Sequence, residues 1–193
     1  MKILFSVFYL VFLVFAVIYQ IFIEEKTDAR EKESKGKIYF HITHRLINIS
    51  YVSLVFFPPI EYFIIKRQIN PFVSILGIVM VYAGILGRNY AIKFLKKYWS
   101  GDIEIKHDHK IIKEGPYAYM RHPAYTAMLL NGIGLCLIPN AYYSLILAFV
   151  FYVPVILVRI KLEENVLIQK FGSEYLDYKN KKFAFFPFKK KAV

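Results

Sequence analysis

From Pro123 to Val158 the chain runs 36 residues without an Asp, Glu, Lys or Arg. A helix needs only about 20 apolar residues to cross a bilayer, so this stretch is too long for one span. Pro139-Asn140, near its middle, is a turn signal. The pattern predicts a tight hairpin of two short helices, Pro123–Ile138 and Ala141–Val158. Each would be roughly 24–27 Å long, slightly under the ~30 Å hydrocarbon thickness. Pro154 should kink the second helix. With 57% hydrophobic and 18% aromatic residues in 193, and a mean hydropathy of +0.40, the chain is too apolar for an ordinary soluble domain.

Three further spans precede the hairpin. Ile3–Ile23 carries no charge and is long enough to cross. Its apolar core exceeds the ~7–15 residues of a signal peptide and no small-residue cleavage site follows, so it reads as a retained helix. Glu24–Lys37 mixes acids and bases closely, as a solvated connector does, helical or not. The second span runs from about Leu46 to Ile65, interrupted at Pro58-Pro59, with Glu61 just beyond the break. Glu61 either reaches the interface or serves a site. After a short turn at Lys66-Arg67, ended by Asn70-Pro71, the third span covers Phe72 to about Tyr90. Gly77, Gly84 and Gly87 in it permit close helix approach. Arg88 and Asn89 lie near its end, where Arg88 either snorkels or serves a site.

The fold class is therefore an all-α integral membrane protein of about five transmembrane helices with a cytosolic helical C-terminal segment. It forms one domain over 1–193: residues 1–97 hold the first three spans, and 98–193 the hairpin, the polar loop and the tail. The net charge of +12 could suggest nucleic acid, but the bases flank apolar spans, so the bilayer is the expected partner and nucleic acid is not. With five spans, one side holds only Lys2, Lys66 and Arg67. The Trp99–Arg121 loop, the first connector and the tail, including the Lys189–Lys191 run, fall on the other, cytosolic side. Cys136, the single cysteine, excludes an internal disulfide and a thiolate metal cluster; no metal is expected.

The chemistry-bearing residues collect on that side. Lys113–Tyr125 reads Lys-Glu-Gly-Pro-Tyr-Ala-Tyr-Met-Arg-His-Pro-Ala-Tyr at the entry to the apolar hairpin. Gly115-Pro116 marks a turn, and Pro123 suits the first position of a helix. Tyr and Arg at this depth would serve equally as interfacial anchors. Trp99–Glu114 is a polar loop with short alternating stretches at Ile103, Ile105, Ile111 and Ile112. Past the hairpin a helix continues to Phe171-Gly172, and Ser173 can cap a shorter one to Lys182. Arg159 and Glu163, spaced i, i+4, share one face at the membrane exit, where an exposed ion pair worth about 0.3–0.5 kcal/mol is the plain alternative.

Taken together, Gly115-Pro116-Tyr117, Arg121-His122-Pro123-Ala124-Tyr125, Arg159 with Glu163-Glu164, and Phe171-Gly172-Ser173-Glu174-Tyr175-Leu176-Asp177-Tyr178 resemble the isoprenylcysteine carboxyl methyltransferases. The resemblance covers roughly Asp102 to Pro187, and the phospholipid methyltransferases are similar. It implies S-adenosylmethionine as methyl donor. By position it assigns donor contacts to His109, Lys110, Ile111, Ile112, Tyr117, His122, Pro123, Ala124, Tyr125 and Glu163, and places Arg159 facing the acceptor as both catalytic and substrate-binding residue. Asp102 stands where the family carries a Gln contact.

Those assignments make chemical sense. Aromatic rings can stack on an adenine and face a sulfonium, and a carboxylate such as Glu163 can accept from ribose hydroxyls or an ammonium group. No Gly-rich strand-turn-helix fingerprint for a soluble cofactor domain occurs. The expected reaction is in-line methyl transfer to the C-terminal carboxylate of a prenylated cysteine, on a protein or a small molecule, at the cytosolic face. That acceptor is already ionised at neutral pH, so no general base is needed; Arg159 would hold it through two hydrogen bonds. No obligate protein partner is evident. The alternatives are a phospholipid amine N-methyltransferase with His122 as base, a non-catalytic scaffold or lipid-binding bundle, and, more remotely, a nicotinamide-dependent reductase.

The charge asymmetry makes a test available. Single cysteines at Ser34 and Lys191 in a Cys136→Ala background are expected to resist an impermeant thiol reagent in intact cells and to react once the cells are opened. Labelling of either in intact cells would overturn this orientation.

Overall fold

A computed structural model describes residues 2–31, 37–40, 42–65 and 68–185. The Lys66-Arg67 turn, Pro187 and the Lys189–Lys191 run lie outside them, as do residues 32–36 of the first connector. The chain is mainly helical: α1 (Lys2–Glu31), α2 (Ile42–Ile65), α3 (Pro71–Leu95), α4 (Pro123–Leu137), α5 (Tyr142–Leu147), α6 (Val153–Phe171) and α7 (Ser173–Lys181). Among the described residues three helices are long and apolar enough to cross a membrane, at Ile42–Ile65, Pro71–Tyr98 and Tyr142–Phe171. Leu4–Tyr19 and Pro123–Leu137 are shorter apolar helices.

Three expectations are corrected. The chain is not entirely helical, since β1 (Lys37–Phe40) pairs antiparallel with β2 (Ile103–Ile105). The alternation at Ile103 and Ile105 marks that strand, and both side chains are buried. Its partner lies far away in sequence, between α1 and α2, so the ladder has no local signature. Second, Pro58-Pro59 does not interrupt α2, which runs unbroken through both. In hydrocarbon an opened turn has no water to satisfy its carbonyls, so the helix persists despite two missing donors. Third, Ser173 is the first residue of α7 rather than its cap; Gly172, at φ +55°, makes the turn between α6 and α7.

The hairpin forms as expected, with a local difference at Pro154. Residues Ala148–Tyr152 widen into a π-helical turn between α5 and α6. Pro154 has no N–H and its ring crowds the carbonyl four residues back, Val150, so the wider turn accommodates it. The connecting turn is held by Asn140, at φ +57°. Its Nδ2 donates to Ser74 Oγ at 2.9 Å and its Oδ1 accepts from Asn70 N at 2.9 Å. Glu61 finds its role nearby: its carboxylate accepts from Tyr143 N (3.1 Å) and Ser144 N (2.7 Å), satisfying amides that open α5.

Packing is tightest where α3 meets α4. A Cβ at Gly84 would lie 2.6 Å from the Ala127 carbonyl oxygen, and one at Gly77 would lie 2.6 Å from Ile138 N. Without a hydrophobic force between helices in lipid, such backbone approach supplies the dispersion contact that holds them. Gly132 leaves space for the Tyr152 ring, whose hydroxyl donates to Met128 O at 2.9 Å. On α1, Tyr9, Phe12 and Leu13 pack against Tyr62, Val81 and Leu135, while Leu4, Val11 and Ile18 face outward.

Gly84→Ala should lower apparent stability by about 1–3 kcal/mol through overpacking against backbone. Gly87→Ala, whose Cβ would meet only the Ala127 Cβ at 3.4 Å, should be nearly neutral. Thermal unfolding of the two variants in one detergent checks the contrast.

Candidate active site

At the polar end of the bundle a cavity of about 880 Å³, its open mouth included, lies between the Trp99–Ile112 segment, the Gly115–Tyr125 turn and the far half of α6. The floor is apolar: Ile103 and Ile105 pack with Val166, and Ala91, Tyr117 and Ala124 form a neighbouring cluster. Gly115, at φ +57°, carries the turn against α3, where a Cβ would come within 2.5 Å of the Phe94 ring. Only glycine meets both demands.

The residues after that turn are fixed by buried ionic contacts. Glu164, 6% exposed, lies 2.9 Å from Arg121 Nη1, 2.9 Å from His122 Nε2 and 2.8 Å from Lys179 Nζ. It therefore ties α6, the Arg121-His122 pair and α7 together. The backbone closes the same junction, as Arg121 N donates to Phe183 O and His122 N to Ala184 O, each at 3.0 Å. Tyr178 adds a third tie, donating from its hydroxyl to the Tyr117 carbonyl at 2.6 Å. Burial raises the Tyr117 phenol well above its ordinary pKa, so it stays protonated.

Arg159 is not an exposed partner of Glu163. It is 4% exposed, and the two are joined through Tyr125: Arg159 Nε donates to the Tyr125 hydroxyl at 2.7 Å, which donates to Glu163 Oε2 at 2.6 Å. Arg159 Nη1 donates to Thr43 Oγ1 at 2.9 Å and Nη2 to Gly101 O at 2.5 Å. Among the described residues three of the five guanidinium N–H groups are thus used and two remain.

Of the residues expected to meet a donor, His109, Lys110, Ile111, Ile112, Tyr117, His122, Ala124, Tyr125 and Glu163 line the cavity, as does Arg159. Pro123 does not; it opens α4. Asp102 also lines it. Buried polar atoms of lining residues without a hydrogen-bond partner among the described residues include His109 Nδ1 and Trp99 Nε1. Such atoms suit a ligand's polar groups. Burial lowers the His109 pKa, with the charge of Glu163 opposing it, so the neutral imidazole is favoured. Its ring sits 5.0 Å from that of Tyr98.

Several site residues escape a reading of the sequence. Trp99 faces the cavity and carries the Arg88 guanidinium 5.6 Å from its ring centroid, so Arg88 reaches the cavity wall. Glu104 and Tyr175 also line the space, and Thr43 reaches Arg159 from α2. The Glu104 alternation and the Tyr175/Tyr178 spacing were signals of a kind; Thr43 left none.

The fold and site define a helical membrane protein with a ligand cavity at the polar end of its bundle. Known proteins share this part of the chain. The family model of the isoprenylcysteine carboxyl methyltransferase (ICMT) family matches residues 75–169. The Protein-S-isoprenylcysteine O-methyltransferase of Saccharomyces cerevisiae is 32% identical over 117 residues, 60% of this chain and 49% of the yeast protein. A probable protein-S-isoprenylcysteine O-methyltransferase of Oryza sativa subsp. indica is 32% identical over 159 residues, 76% of this chain and 80% of that one. The solved structure of the eukaryotic intramembrane Ras methyltransferase ICMT superposes with a TM-score of 0.60 at 26% identity, covering 73% of this chain and 52% of that chain. The chain belongs to the isoprenylcysteine carboxyl methyltransferase family. It spans about half the length of the yeast protein and of the solved chain.

Glu164→Gln should lower apparent stability by about 3–5 kcal/mol, since it leaves buried cations without their counter-charge. Lys113→Ala breaks a pair with Glu174 whose side chains are 46% and 60% exposed and should cost no more than about 1 kcal/mol. Thermal melts of both in lipid make the comparison.

Proposed function

We propose that the protein is an S-adenosylmethionine-dependent carboxyl methyltransferase that esterifies the C-terminal carboxylate of a prenylated cysteine, or a similar lipophilic carboxylate, at the cytosolic membrane face. The observation that carries this reading is the chain Arg159–Tyr125–Glu163 in the wall of one cavity. It puts a cation suited to the acceptor and an anion suited to the donor a single phenol apart.

The donor supplies, when bound, a methyl group on a cationic sulfur. The residues present fit it. Trp99, Tyr98 and Tyr117 offer rings, Glu163 offers acceptor oxygens, and His109 Nδ1 and Trp99 Nε1 have hydrogen-bonding capacity to give. Arg159 orients an acceptor carboxylate with its two remaining N–H groups. The acceptor is ionised at neutral pH, so no residue has to remove a proton. What the protein contributes is proximity, alignment and the exclusion of water by its apolar floor. In this reading five helices cross the bilayer, Leu4–Tyr19 and Pro123–Leu137 with the three longer ones, and α7 lies in the cytosol. A prenyl chain then enters from lipid while the donor enters from water.

The amine-methylating alternative needs a residue to take a proton from its acceptor, a step that the carboxylate reading does not require. A purely structural bundle gives no reason for buried donors that face an open cavity.

Arg159→Lys keeps the charge but loses the planar fork, so methylation of a prenylcysteine should fall roughly 10–150-fold, as charge-assisted bonds of about 1.5–3 kcal/mol are lost. Donor affinity should hardly move. Glu163→Gln should weaken donor binding first. Donor affinity and single-turnover methylation in one lipid preparation separate the two effects; near-normal methylation by Arg159→Lys would remove Arg159 from the acceptor site.

A further inference from the structure

The Arg159 guanidinium is held from three directions, and one of them lies outside the part of the chain that matches the family model, residues 75–169. Tyr125 comes from the first turn of α4, and the Gly101 carbonyl from the loop before β2. Thr43 comes from the first turn of α2, more than a hundred residues from Arg159 in sequence. Thr43 is itself 4% exposed. The same turn of α2 sets the Gly101 loop: a Cβ at Gly101 would lie 2.9 Å from the His44 ring, whose Nε2 is in turn 3.0 Å from Asn48 Nδ2. Thr43 and His44 therefore form one wall, which fixes both the guanidinium and the carbonyl it donates to.

We propose that Thr43 is a positioning residue for methyl transfer, acting through Arg159. This rests on the carboxylate-acceptor reading given above. A guanidinium can rotate about its long side chain, and an in-line displacement tolerates little misplacement of the attacking oxygen. With Nε fixed by Tyr125 and Nη2 by Gly101, the bond from Nη1 to Thr43 completes a three-point hold. The two N–H groups that remain then have one direction in which to offer a carboxylate. Loss of the Thr43 oxygen leaves a buried charged donor unpaired, and the Arg159 side chain shifts to recover a partner. The cost falls on acceptor alignment. Thr43 has no hydrogen bond to Glu163 or His109 among the described residues, so its loss reaches the donor side only through Arg159 and Tyr125.

The test uses the full chain in lipid nanodiscs, with S-adenosylmethionine and an N-acylated S-prenylcysteine as probes. Trp99, the one tryptophan in the sequence, lines the cavity and reports donor binding by its fluorescence. Thr43→Val, close in shape but without the hydroxyl, should lower kcat roughly 10- to 100-fold with donor affinity unchanged, and Thr43→Ser should restore most of the turnover. In an Arg159→Lys background Thr43→Val should add little, since the two act as a unit. If the valine variant does not assemble, Thr43→Cys, a weak acceptor of similar size, takes its place in the same comparison. Wild-type turnover by Thr43→Val, an equal loss in donor affinity, or failure of serine to rescue would each overturn the positioning role while leaving the methyltransferase reading intact. Absence of donor binding and methyl transfer in the wild-type protein would overturn both.

Discussion

A guanidinium that leaves water at a membrane boundary must have its N–H groups satisfied by the protein, and this requirement organises the polar end of the fold. Arg159 is 4% exposed, and the protein serves three of its N–H groups. Its partners are a hydroxyl on α2, a phenol on α4 and a loop carbonyl before β2. An unpaired buried charge costs several kcal/mol, so these separate pieces are held in register around one side chain. The β1–β2 ribbon follows from the same convergence, because it joins the strand just before α2 to the strand just after Gly101.

A second buried charge, Glu164, does for the outer layer what Arg159 does for the inner one. One turn of α6 presents Glu163 and Glu164 in succession, and neighbours on a helix point about 100° apart. Glu163 therefore reaches Tyr125 and the cavity, while Glu164 reaches Arg121, His122 and Lys179. The division separates chemistry from support. His122 stands at the junction of the two: it lines the cavity and holds Glu164 through one nitrogen.

The apolar hairpin, the third span with its close-packing Gly77 and Gly84, the Gly115-Pro116 turn and the end of α6 at Gly172 were legible because each depends on local chemistry: the absence of charge, the lack of a Cβ, or a fixed φ. The intact α2 was not, because Pro58-Pro59 acts as a breaker only where water can take the freed carbonyls. The role of Glu61 was hidden for a different reason. It caps a helix some eighty residues further on, and no spacing rule links the two. Among the site residues, the Arg-His-Pro-Ala-Tyr run and the Arg159/Glu163 pair could be singled out by type and position. Pro123 belongs to that run without lining the cavity; it opens α4.

The sequence by itself determined that the chain is a helical membrane protein, where its uncharged segments begin and end, and which family its motifs belong to. Those properties are sums over local composition and short spacings. Only the tertiary structure decided that Tyr125 stands between Arg159 and Glu163, that Thr43 and Gly101 complete the hold on the guanidinium, and that Glu164 gathers Arg121, His122 and Lys179. An i, i+4 pair on a helix can salt-bridge directly or be separated by a third group, and the sequence is the same in both cases. What selects between them is burial, which forces each charged atom to find a partner wherever the packed chain has brought one.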